Sequence, residues 1–74
     1  MLRVRVFQGG RQRFAGTAAQ VVLPGEAGEV AVLAFHATMV CALIGGDVRI
    51  DETSVPVQGG IARVDRNAVT IIAE

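Results

Sequence analysis

Residues 30–44, VAVLAFHATMVCALI, are the most apolar stretch of the chain, and they do not alternate. A strand in one layer of a sandwich points successive side chains to opposite faces and reads apolar-in, polar-out. Here Met39, Val40, Cys41, Ala42, Leu43 and Ile44 are apolar without a break, and so are Val30 through Phe35. Both faces of the stretch therefore call for a dry environment. In a small two-layer domain the second dry face is a partner surface. Small Ala and Cys side chains that tolerate solvent are the alternative explanation. The stretch is interrupted by His36 and Thr38 and is shorter than the ~20 residues that span a bilayer. A helix competes, since Ala, Leu and Met are good helix formers. Three valines stiff at χ1 and the lack of an N-cap ahead of Val30 favour two strands, joined at Phe35-His36-Ala37.

The remainder reads as short strands punctuated by turn residues. Leu2, Val4 and Val6 share one face of a first strand, with Arg3 and Arg5 on the other. Gly9-Gly10 turns the chain into residues 11–15, and residues 17–23 form a third strand ended by Pro24-Gly25, with a loop over 24–29. Gly45-Gly46-Asp47 signals a turn before a strand over 48–50, and residues 51–54 make a tight connection. Pro56 marks residues 55–57 as an edge strand or a bulge. Gly59-Gly60 breaks the pairing ahead of residues 61–64, and Asp65-Arg66-Asn67 turns into a last strand over 68–73. The expected fold is all-β: one domain over residues 1–74, a two-layer sandwich of about eight to ten short, mostly antiparallel strands, or a small barrel.

Composition excludes several functions. Seven Lys+Arg, all of them arginine, against seven Asp+Glu give formal net charge +0, and no clustered basic run announces a nucleic-acid partner. One Cys and one His exclude a disulfide framework and a multi-ligand zinc site within one chain. The start alternates where a signal peptide would run apolar, and the lone Cys suits a reducing compartment. Cys41 and His36, with Ser54 as a hydroxyl alternative, are the only nucleophile candidates, and Cys41 lies mid-run, where a free Cys is usually a small buried hydrophobe. Asp47, Asp51 and Glu52 are expected at hairpin turns, where Asp caps backbone rather than binds metal. No glycine-rich phosphate loop is present. No catalytic residue, metal or cofactor is expected.

Residues 21–37, VVLPGEAGEVAVLAFHA, resemble the signature of the F-type ATP synthase epsilon subunit, whose members show a stretch like VxLPGxxGExGVLPGHAP followed by an apolar strand and a Gly turn. Residues 58–64, QGGIARV, resemble the family's SGGxxEV element, and residues 67–74, NAVTIIAE, its NxVTVLAD close. Phe14-Ala15-Gly16 fits the opening FxG, and Val48-Arg49-Ile50 the strand after the Gly turn. The likeness covers essentially the whole chain in order. It departs at Ala31, Ala34, Phe35 and Thr38, where the family has Gly and Pro, and the hairpin between Ile50 and Val55 is shorter than usual.

The resemblance implies a non-catalytic central-stalk subunit that binds the gamma subunit and rests on the membrane rotor ring of c subunits, coupling proton translocation to ATP synthesis. It implies a peripheral position on the cytoplasmic face of a bacterial inner membrane, without direct membrane insertion. Glu29 and His36 carry over as residues of the loop facing the rotor ring. Val32, Phe35, Met39, Val40 and Ala42 are expected to face gamma, on a hairpin with one side on the core. Family members commonly continue into two C-terminal helices. Their absence after Glu74 leads to the expectation of no inhibitory brake and no ATP binding through such helices. A free-standing small β-module that binds a protein or a small ligand is the rival reading.

Overall fold

The computed structural model describes all 74 residues, as seven strands and no helix. They are β1 (Leu2–Gln8), β2 (Arg11–Ala18), β3 (Gln20–Gly25), β4 (Gly28–Leu33), β5 (His36–Ile50), β6 (Thr53–Arg66) and β7 (Ala68–Ala73). One hydrogen-bonded ladder joins them in the order β2-β1-β7-β6-β5-β3-β4. Every pairing is antiparallel except β1 with β7.

The ladder cannot be flat. An extended strand as long as β5, with 15 residues, would reach about 50 Å at about 3.3 Å per residue. The longest dimension of the whole molecule is 27 Å, so β5 and its 14-residue partner β6 bend together. The bend lies at the two glycine pairs. Before it, Leu43 of β5 turns inwards with Cys41 and Met39 half-buried behind it; after it, Val48 and Ile50 turn inwards. In β6 the buried positions change from Val55 and Val57 to Ala62 and Val64. The inward parity thus inverts in both strands while their register continues unbroken from Met39↔Val64 to Ile50↔Thr53. Backbone in the left-handed half of φ space makes this possible: Gly46, Gly59 and Gly60 have φ of 154°, 146° and 138°, where a Cβ is strained. At Gly60 there is no room for one either, since a Cβ would stand 2.2 Å from the Ile72 carbonyl oxygen.

The bent ribbon produces the sandwich. The second half of β6 continues into β7, β1 and β2, while β3, carrying β4, runs along β5 from Ile50 back to Leu43, where Gly25 pairs just before the bend. Between the layers lies one cluster of 17 buried apolar residues, drawn from all seven strands, with no buried polar or charged side chain. Leu2, Val4 and Val6 fill it from β1, as the alternation predicts.

The glycine pairs are where the expected strand count fails. Gly45-Gly46 and Gly59-Gly60 lie inside β5 and β6 rather than ending strands, so two long bent strands replace four short ones. Asp47 consequently sits in β5, opposite Pro56, and not at a turn. Pro56 occupies the half of β6 that no strand but β5 pairs with, so its missing N–H leaves no ladder bond unmade. The expected loop over 24–29 is a tight hairpin, with Pro24 opposite Glu29 and Gly25 opposite Gly28. Residues 30–44 are not a hairpin: β3 stands between β4 and β5 in the ladder, and the link through Ala34 and Phe35 crosses from one layer to the other.

Two side chains hold the crossings. Asp51, at the β5–β6 turn with φ 51°, accepts hydrogen bonds on its carboxylate from the backbone N–H of Ala19 and of Gln20, where the chain leaves β2 for β3. Its own N–H donates to the Gln20 carbonyl. Asn67, in the β6–β7 turn, accepts the Phe35 N–H on Oδ1 at 2.8 Å. That bond fixes Phe35 at φ 64°, an unusual conformation for an aromatic residue.

Candidate functional site

The seventeen core residues leave a surplus of apolar surface. Leu33, Phe35, Val40, Ile44, Ile61 and Ile72 are all exposed, Phe35 to 85% and Val40 to 69%. Much of this surplus is ordered by the ladder into rows across the outer face of β5, β6, β7 and β1. Ala42 lies opposite Ile61, Ile61 opposite Ile72, and Ile72 opposite Phe7. Two residues along each strand runs a second row of Val40, Arg63, Thr70 and Arg5. The Arg5 guanidinium stands over the Phe7 ring, 5.8 Å from its centroid, joining the two rows.

Cross-strand neighbours are about 4.8 Å apart, so the apolar row is roughly 15 Å long and has the arginines about 7 Å to one side. Neither Arg5 nor Arg63 has a carboxylate partner; the molecule's one ion pair is Arg49 with Glu29 at 3.3 Å, on the other layer. An exposed, apolar, strand-crossing row bordered by guanidinium groups without carboxylate partners is suited to docking.

The residues expected to face gamma divide on this geometry. Ala42 and Val40 belong to the two rows. Phe35 projects from the crossing turn. Val32 does not qualify: it is wholly enclosed in the core, because the inward parity of β4 falls on it. Met39 is half-buried and packs against the core. Ile61, Ile72 and Phe7 were missed because each sits in its own strand as an isolated outward residue. Only the pairing of β6 with β7 and of β7 with β1 makes them neighbours.

Glu29 and His36 are separated by the length of β4. Glu29, second in that strand, pairs with Arg49, whereas His36 begins β5, half-buried, with Nδ1 at 2.7 Å from the Ala37 carbonyl oxygen. Cys41 is five residues further along β5, about 16 Å at strand rise. Its Sγ lies by the Ala42 carbonyl oxygen and the β3–β4 hairpin, so no thiol–imidazole pair forms. Asp47, Asp51 and Glu52 likewise make no cluster, and no three His, Cys, Asp or Glu side chains converge on a point.

Comparison with known proteins decides the family. The family described as the beta-sandwich domain of the ATP synthase Delta/Epsilon chain matches residues 1–74. This chain belongs to that family. The Thalassiosira pseudonana chloroplastic ATP synthase epsilon chain is 41% identical over 76 residues, which cover 97% of this chain and 57% of the relative. Among solved structures, a chain of the Euglena gracilis mitochondrial ATP synthase, determined with its c-ring, superposes with TM-score 0.83 at 22% identity, covering 97% of this chain and 49% of that one. A chain from the central stalk and c-ring of the Tetrahymena thermophila mitochondrial ATP synthase gives TM-score 0.75 at 12% identity, over 97% of this chain and 62% of that one. At these identities the two structures attest the fold alone. The delta/epsilon sandwich described here spans about half to three fifths of the length of these relatives. No helix of the chain is long and apolar enough to cross a membrane.

Proposed function

We propose that this sandwich works in the central stalk of an ATP synthase, bound to the gamma subunit and resting on the membrane rotor ring, so that rotation driven by proton flow reaches the catalytic subunits. The match of the whole chain to the delta/epsilon sandwich carries this reading. The exposed apolar rows supply its physical counterpart, since a stalk subunit must bury against a neighbour what its own core does not cover. A bent ribbon that keeps one register from Met39 to Ile50 over one close-packed core also gives a body that resists shear. The complex in this proposal is peripheral, on the cytoplasmic face of a bacterial inner membrane. The relatives named above are chloroplastic and mitochondrial, and the mechanism requires only the peripheral position.

Glu29 and His36 are proposed as rotor-ring contacts. Lying at opposite ends of β4, they would touch the ring at two points and not through one loop. Co-expression with the gamma subunit of the same synthase tests the reading: stoichiometric co-purification is expected, and a chain that elutes alone from excess gamma refutes it. In the reassembled enzyme, Glu29→Lys is expected to lower ATP-driven proton pumping relative to ATP hydrolysis. Unchanged coupling in both Glu29→Lys and His36→Ala removes these two residues from the ring contact.

A further inference from the structure

Divided at the link between β4 and β5, the chain falls into two modules. Residues 1–33 supply the β1–β2 and β3–β4 hairpins, and residues 36–74 supply β5, β6 and β7. Neither module closes by itself: β1 pairs with β7, β3 pairs with β5, and the buried cluster draws on both. Polar contacts cross the same boundary. The Arg3 N–H donates to the Asn67 carbonyl and the Glu26 N–H to the Ala42 carbonyl.

Only Ala34 and Phe35 join the modules, and this link is strained. Phe35 has φ 64°, in the left-handed region that a bulky aromatic residue rarely adopts. Asp51 and Arg66 also have positive φ, but each lies at a hairpin turn inside one module. A single hydrogen bond, from the Phe35 N–H to Asn67 Oδ1, holds the link bent. The side chains of Leu33 and Phe35 are both exposed, so the link gains nothing from burial. Slack follows it directly: the register of β5 shifts between His36 and Met39, where Ala37 and Thr38 together stand opposite Asp65.

We infer that this chain has a second copy of itself as a partner, by exchange of modules: the link at Ala34-Phe35 opens, and residues 1–33 of each copy complete the sandwich of the other. The surface that receives the partner is then the chain's own, complementary already in the monomer. The ladders, core contacts and cross-module hydrogen bonds are remade between copies unchanged. The Phe35–Asn67 bond is the contact that depends on the closed link. Opening releases the strain at Phe35, and the two links, crossing near the twofold axis, bring Leu33 and Phe35 of each copy beside those of the other. Short hinges under strain favour exchange in this way. Opposing it is the freedom lost on association, which makes the dimer depend on concentration. The outer strands β2 and β4, each unpaired along one side, offer another route to a dimer. Pairing of those edges leaves Phe35 strained and exposed, so it lacks the driving force that the link supplies. The inference is independent of the stalk reading, and gamma takes no part in its test.

The test refolds the full chain from urea over a range of protein concentrations and follows its mass by size exclusion with light scattering. The wild type is expected to be monomeric when refolded dilute and increasingly dimeric when refolded concentrated. The dimer should persist on dilution, because reversal undoes a core shared by every strand. Phe35→Gly adopts φ 64° without strain and removes the ring, and is expected to lower the dimerisation constant about tenfold or more. Asn67→Ala removes the acceptor that holds the link closed, and is expected to raise the constant about threefold or more. Thermal unfolding confirms that each variant is folded.

A disulfide identifies the kind of dimer. Arg5 and Thr70 are partners in register on β1 and β7, one in each module, and adjacent strands place them within bridging distance. With Arg5→Cys, Thr70→Cys and Cys41→Ser combined, oxidation of the exchanged dimer is expected to give covalent chain pairs on a non-reducing denaturing gel. A dimer whose bridge stays within one chain is joined by edges or faces instead, and overturns the inference. A wild type that stays monomeric at every refolding concentration overturns it, as does a dimer whose constant neither Phe35→Gly nor Asn67→Ala alters. The two link variants read the same inference without the added cysteines.

Discussion

At the scale of single residues, the glycines carry the most testable consequences. A Cβ at residue 60 would lie 2.2 Å from the Ile72 carbonyl oxygen and 2.8 Å from the Ala73 Cα, in a backbone conformation with φ +138°. Neither obstacle is a flexible side chain that can move aside, so Gly60→Ala should cost about 3 kcal/mol or more and separate β6 from β7, read by urea denaturation. Gly10→Ala is the control: φ is +77° but nothing lies within 4 Å, so only the backbone strain of about 1 kcal/mol remains. Asp51→Ala removes the acceptor for two backbone N–H groups at the β2–β3 crossing and should cost about 1–2 kcal/mol. Glu29→Ala breaks the ion pair with Arg49, but both groups are largely exposed, so the loss should stay below about 1 kcal/mol. Any functional effect of changing Glu29 is then not a folding effect.

At the scale of elements, β7 is the strand the architecture least tolerates losing. It lies between β1 and β6, parallel to one and antiparallel to the other, and contributes Val69, Ile71 and Ala73 to the core. A chain ending at Asn67 would leave β1 and β2 unattached to the ladder. Such a truncation should show no cooperative thermal transition by circular dichroism, and a native-like melt would contradict the role given to β7. Strand chemistry was largely legible here. The alternation of Leu2, Val4 and Val6, the edge character of Pro56 and the turn at 65–67 all follow from side-chain period or backbone chemistry within a few residues. The glycine pairs were misread because the same dipeptide serves a turn and a bend in a continuing strand, and the two differ only in what approaches the backbone. The non-alternation of residues 30–44 was a true sign of surplus apolar surface. Its assignment to one hairpin failed because β3 forms the tight hairpin with β4 and then inserts between β4 and β5, pairing with β5 at positions as distant as Gly25 with Leu43 and Val21 with Ile50.

At the scale of the whole molecule, one core shared by every strand implies one cooperative unit. Total stability for 74 residues is on the order of 4–11 kcal/mol at typical per-residue values. Ile71→Ala, at a fully enclosed position, should remove about 2–5 kcal/mol of it in a single shifted transition. Two separated transitions would mean that the layers fold independently. What the amino-acid order determined by itself is local: which residues prefer strands, which prefer turns, which side of a short strand is greasy, and, through quoted motifs, a family. What only the tertiary structure decided is adjacency. Phe7, Ala42, Ile61 and Ile72 become one row, and Arg5 and Arg63, far apart in sequence, come to border it, because the register of paired strands is set by packing across the core and not by separation along the chain.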